Sequence, residues 1–208
     1  PDEQTLLHPL YAALAATRRG ESARALALLE QAETEGSAPA SLITLAKAEC
    51  HLKAGATDAA ERSLEQLSAS ERKTPRAKAL RAEVAHRRRD WQQLIELLAD
   101  VRRAGTAPDE QIDVWEQETW IALLSEADDS ASTAVSVWKR APDALKAPGQ
   151  PLWPALLKIL QQDTQTDALQ KVLQERLQQH CESVTIDAMS GLSDKQLLKM
   201  KKALQRWR

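Results

Sequence analysis

Phenylalanine is absent from this chain and tyrosine occurs once. A core without Phe must be filled mainly by Leu and Ala, which suits closely packed helices and argues against a β-sandwich. Runs of β-branched residues are almost missing and only six glycines occur in 208 residues, so the expected class is all-α. The two cysteines, Cys50 and Cys181, lie too far apart for metal-ligand spacing. One disulfide is possible but unnecessary at this size, and a reducing compartment fits. No run of about 18 apolar residues that could span a membrane occurs in these residues, and no signal-peptide pattern is expected among them. The formal net charge of −2 gives no general attraction to nucleic acid or acidic lipid. Ser-His-Asp, HExxH and phosphate-cradling glycine patterns are all lacking, and the four histidines fall on different predicted helices, so catalysis is not expected.

What the chain does have is a repeat of 34 to 35 residues. Arg19-Gly20-Glu21-Ser22 aligns with Ala54-Gly55-Ala56-Thr57 and with Arg88-Arg89-Asp90-Trp91. Five residues after each turn come Ala25, Ala60 and Leu94; nine after, Leu29, Leu64 and Leu98; twelve after, Ala32, Leu67 and Val101. Fixed offsets after a turn mark one helix pair copied along the chain. Leu6, Leu7, Leu10 and Leu14 form the stripe of a first helix that Gly20 ends, and Pro39 starts the helix carrying Leu42, Ile43, Leu45, Ala46 and Cys50. Thr57-Asp58 is expected to cap the next helix, and Thr74-Pro75 to open the third pair. Each helix is about three turns long and cannot stand alone in water, so each must bury its stripe on the next.

A turn with Gly, acid and aromatic, then a small residue, resembles the tetratricopeptide repeat. Gly20 and Gly55 supply the glycine and Asp90-Trp91 the acid and aromatic, so the pattern is degenerate. The resemblance implies a right-handed superhelical solenoid, with three helix pairs over residues 1–107 and irregular pairs continuing it over 108–180. A longer helix is expected from Pro108 to Ala127 and another from Ala131 to Lys139. Ala141 to Pro154, with four prolines, reads as a loop that restarts at Trp153. Helices near Pro154–Gln162 and Thr166–His180 follow, and residues 181–208 read as a connector with a basic C-terminal helix.

Four segments between Thr74 and Arg208 carry a further resemblance: Asp90-Trp91-Gln92-Gln93-Leu94, Gln117 to Leu124 around Trp120, Val137-Trp138-Lys139 before a Pro-containing linker, and extended Val184-Thr185-Ile186 before the helix at Ser193. Together they are similar to the HemY family of haem-biosynthesis-associated inner-membrane proteins. The resemblance implies two transmembrane helices, a repeat domain facing the cytoplasm at the bacterial inner membrane, and partners among late haem-pathway enzymes such as ferrochelatase. The chain opens on Pro1 and stops at Trp207-Arg208 inside an expected helix pair, as a piece of a longer protein would.

A stack of helix pairs presents a surface rather than a reaction chamber. Outward positions of each first helix include Leu10, Leu14, Thr17, Glu49, Leu52, Lys53, Arg76, Glu83 and Arg87, a mixture that suits a partner helix or peptide. Lys53, Arg76 and Arg87 are candidate partners for its carboxylates. No cofactor is required, although His51 and His180 are possible haem ligands. Each has a Cys neighbour about 100° away around the helix, so only one of each pair could reach an iron. The expectation for the first pair is that Cys50 is core and His51 surface. The tryptophans are expected to pack joints between repeats, with Trp115 and Trp120 flanking a stripe. His86 to Arg89 and the six basic residues of Lys195 to Arg208 read as solvated helix ends.

Overall fold

Three turns repeat one backbone geometry and set the frame of the chain. Gly20, Gly55 and Arg89 all lie in left-handed backbone, at φ 79°, 76° and 60°. After each, the next N–H reaches back across the turn: Glu21 to the Ala16 carbonyl at 3.0 Å, Ala56 to His51 at 2.8 Å, and Asp90 to Ala85 at 2.9 Å. This closure satisfies carbonyls that a helix end leaves open, and so stops the helix and turns the chain.

The computed structural model describes residues 9–127, 131–146, 150, 152–153 and 155, and every element among them is helical. Helices α1 (Pro9–Arg18) and α2 (Ser22–Thr34), α3 (Ala40–Lys53) and α4 (Thr57–Glu65), and α5 (Pro75–Arg88) and α6 (Trp91–Ala104) form three successive pairs. Helices α7 (Asp109–Glu126) and α8 (Ala131–Arg140) follow. The expected all-α chain of stacked helix pairs is what folds. His180, Cys181, Val184-Thr185-Ile186, the stretches expected to form the later helices, and the basic terminus lie outside the described residues.

The second helix of each pair is also closed by a repeated device that the sequence did not advertise. Ser37 Oγ donates to the Ala32 carbonyl at 3.2 Å, Arg72 Nε to Leu67 at 2.7 Å, and Thr106 Oγ1 to Val101 at 3.4 Å. Three different side chains thus reach the same carbonyl in successive repeats, and Arg72 adds the Glu65 carbonyl at 2.8 Å. The expected Thr57-Asp58 cap is corrected. Ala56 is the N-cap of α4, without a side-chain bond, because the turn at Gly55 brings the chain into the helix one residue sooner. Thr74 does precede Pro75 at the start of α5, but its hydroxyl donates to the Glu71 carbonyl at 2.7 Å. The side-chain cap falls instead on Asp90, whose carboxylate accepts the Gln93 N–H at 3.1 Å.

The chain divides into two compact units, Pro1–Thr119 and Trp120–Arg208. In the first, each buried cluster joins a pair to the helix after it. Ala13, Leu29, Ala32, Ile43 and Ala46 link α1, α2 and α3; Leu45, Leu52, Ala60, Leu64, Leu80 and Val84 link α3, α4 and α5. Leu94, Leu98, Val101, Ile112 and Trp115 close α6 onto α7. Alanine at 0% exposure recurs as Ala13, Ala25, Ala48, Ala60 and Ala82, where a larger side chain would hold helices apart. Each buried Leu contributes about 1.5–3 kcal/mol, so the stack is held by its joints.

In the second unit, Trp138 meets Trp153 edge-on at 5.9 Å, and Trp153 Nε1 donates to the Lys146 carbonyl at 2.7 Å. Lys146 is itself buried and directs its ammonium at the Lys139 carbonyl (3.2 Å) and Asp143 (3.3 Å), the partners a buried charge requires. The expected loop after Ala141 therefore contains an ordered 3-10 turn, Asp143–Lys146. Arg140 lies 5.9 Å over the Trp120 ring.

Candidate protein-interaction face

The first helices of successive pairs are neighbours: α1 touches α3, and α3 touches α5. Polar bonds tie their outer sides together. Arg76 on α5 donates from Nη2 to Glu49 Oε2 on α3 at 2.5 Å. Arg87 donates to the Leu52 carbonyl of α3 at 2.5 Å and to Glu83 Oε1, one turn back, at 2.6 Å. One position along, His86 Nε2 sits 2.6 Å from Glu118 Oε2 of α7. Its ring stacks on Trp115 at 5.1 Å and meets Trp91 edge-on at 6.2 Å.

Sequence reasoning placed these residues on a face but not in pairs. The structure brings Glu49 to Arg76 and Glu83 to Arg87, so both arginines already hold a carboxylate. Exposed pairs of this kind are worth about 0–1 kcal/mol each, and a partner's carboxylate must displace an internal one. Lys53 is exposed, and no carboxylate among the described residues pairs with it. Leu10 and Leu14 are half-buried against the cluster around Ala13 and Leu29.

Two outward assignments are corrected. Leu52 is 1% exposed because α5 packs over the last turn of α3, where Leu80 and Val84 cover it. Thr17 is buried, its hydroxyl spent on the Ala13 carbonyl at 2.9 Å. Leu42 moves the other way: assigned to an apolar stripe, it is exposed, as are Tyr11 and Val114. The described tryptophans are all buried or half-buried, which suits packing rather than anchoring of a partner.

Cys50 is core, packed with Ala16 and Ala25, its Sγ 3.5 Å from the Ser22 carbonyl. His51 is half-buried beside it, and burial, then the charges of Arg62 and Lys47, lower its pKa. Among the described residues, no group of three or more His, Cys, Asp or Glu could hold a metal ion.

Residues 16–84 match the tetratricopeptide repeat. The matched tetratricopeptide stretch runs from the end of α1 through most of α5 and includes Glu49, Lys53, Arg76 and Glu83. No curated protein and no solved structure matches the chain. Tetratricopeptide stacks generally bind other proteins, because helix pairs contacting only their neighbours leave an extended face uncovered.

Proposed function

We propose that the chain is a non-catalytic protein-interaction scaffold that takes a partner helix or peptide along the face of α1, α3 and α5. The observation that carries this reading is the tetratricopeptide match over residues 16–84, on helices whose first members lie side by side. Lys53 and exposed Leu42 offer one free cation and one free aliphatic group on α3, and the Glu49–Arg76 and Glu83–Arg87 pairs can exchange partners at small cost.

The finer part of the proposal is that this scaffold serves the late, porphyrin-handling steps of haem synthesis at the bacterial inner membrane, facing the cytoplasm. Its support is the similarity of Asp90–Leu94, Gln117–Leu124 and Val137–Lys139 to the HemY family. No helix among the described residues is long and apolar enough to cross a membrane, so attachment rests on the two membrane helices that the similarity implies. The test is a pull-down from bacterial membranes with the tagged, full-length protein, read by mass spectrometry. Enrichment of ferrochelatase or another porphyrin-handling enzyme supports the haem reading. Enrichment of envelope-assembly proteins in their place overturns the pathway and leaves the scaffold standing.

A further inference from the structure

A cleft of about 190 Å³ opens on a different part of the stack, lined by Glu61, Leu64, Glu65, Arg72, Arg81, Val84 and Gln93. Leu64 and Val84 are buried and give it an apolar floor. Its charged groups are unequally committed. Arg88 holds Glu61. Arg72 spends its hydrogen bonds on the Leu67 and Glu65 carbonyls, which leave its charge unneutralised. Half-buried Arg81 has no hydrogen-bond or ion-pair partner among the described residues, and neither has the Glu65 carboxylate.

The repeat shows what is missing. Thirty-four residues before Arg81, at the same place in the preceding pair, stands Lys47, whose Nζ binds Glu33 Oε2 of α2 at 2.6 Å. One repeat on from Glu33 the chain has Leu67 and Ser68, and neither can supply a carboxylate. The third pair thus keeps the cation, lacks its internal anion, and has a cleft in front of it. A guanidinium offers a planar fork of donors that fits a carboxylate in a way an ammonium does not.

We propose that this cleft is a second binding site, which takes an acidic residue of a partner peptide with its carboxylate on Arg81. The peptide N–H beside that residue faces Glu65, and its side-chain methylenes lie on Leu64 and Val84. The exposed Glu65 carboxylate favours a peptide over a bare anion, because it can accept a peptide N–H and repels an anion that has no donor to offer. The site is independent of the α1, α3 and α5 face and stands or falls apart from it.

The test is a titration of the isotope-labelled 208-residue chain, followed by amide NMR shifts. The probes are acetyl-Ala-Glu-Ala-amide, acetyl-Ala-Gln-Ala-amide and sodium acetate. The glutamate peptide is expected to shift Leu64, Val84 and Gln93 saturably, with the glutamine peptide at least about tenfold weaker, as loss of a charge-assisted bond requires. Arg81→Gln loses the response by a similar factor, whereas Arg81→Lys keeps part of it. Equal shifts from the glutamate and glutamine peptides of the unaltered chain would overturn the proposal without any variant. Acetate binding as tightly as the glutamate peptide would overturn the peptide assignment, since the cleft would then recognise a free carboxylate.

Discussion

Arg89 holds a conformation that its two counterparts give to glycine. At φ 60°, ψ 31° it closes α5 as Gly20 closes α1 and Gly55 closes α3, and its side chain is exposed. Left-handed backbone costs an L-residue about 1–2 kcal/mol. Glycine avoids that strain but adds about 0.5–1 kcal/mol of chain entropy to be lost on folding. Arg89→Gly is therefore expected to stabilise the fold by about 0.5–1 kcal/mol, a rise in Tm of about 1–4 °C for a chain of this size. The control is Gly55→Ala. A Cβ there meets nothing within 4 Å, so the loss, about 1 kcal/mol, is purely one of backbone conformation. Urea unfolding followed by far-UV circular dichroism measures both, with the m-value required to stay constant. An Arg89→Gly protein no more stable than the parent, beside a destabilised Gly55→Ala protein, would refute the equivalence of the three turns.

Asp90→Ala removes the one carboxylate that caps a helix N–H in the third pair, and should lower stability by about 1 kcal/mol in the same assay. Leu94 and Ala60 occupy the same offset after their turns, both fully buried. Leu94→Ala should cost about 2–5 kcal/mol by opening a cavity beside Trp115, and Ala60→Leu about 1–3 kcal/mol by overpacking. His51 is held below its ordinary value mainly by burial, so the unfolded chain takes up that proton before the folded one. Stability is therefore whole above the ordinary histidine value of about 6.5 and falls as pH drops from there toward the lowered value. Urea midpoints across that window should decline less in His51→Gln, and an unchanged slope would remove His51 from the account.

The fold was legible because its signal is one-dimensional. Gly20, Gly55 and Arg89 stand one repeat apart, and Leu29, Leu64 and Leu98 follow each turn at one offset, so period alone located six helices. The closure by Ser37, Arg72 and Thr106 escaped notice because a hydroxyl and a guanidinium share no sequence pattern, although each can donate to the same carbonyl. Pairings such as Arg76 with Glu49 depend on how two helices cross, and a count along the chain carries no such angle. Leu52 was misplaced for a related reason. A position that faces outward on an isolated helix pair is covered once the next first helix stacks on its last turn. Leu42 and Arg81 are the converse: an apolar residue left outside, and a cation left without the carboxylate that Lys47 finds.

The central claim is that partners bind the face of α1, α3 and α5. It is tested most directly by placing a photoactivated crosslinking residue at single positions of the protein in the cell that makes it. Glu49, Lys53 and Glu83 sample that face, and Ala27 and Glu30, which do not line the cleft at Arg81, sample the exposed side of α2. The account predicts one recurring adduct from Glu49, Lys53 and Glu83 and none from Ala27 or Glu30. Adducts from α2 alone, or the same adducts from both sides, would contradict it.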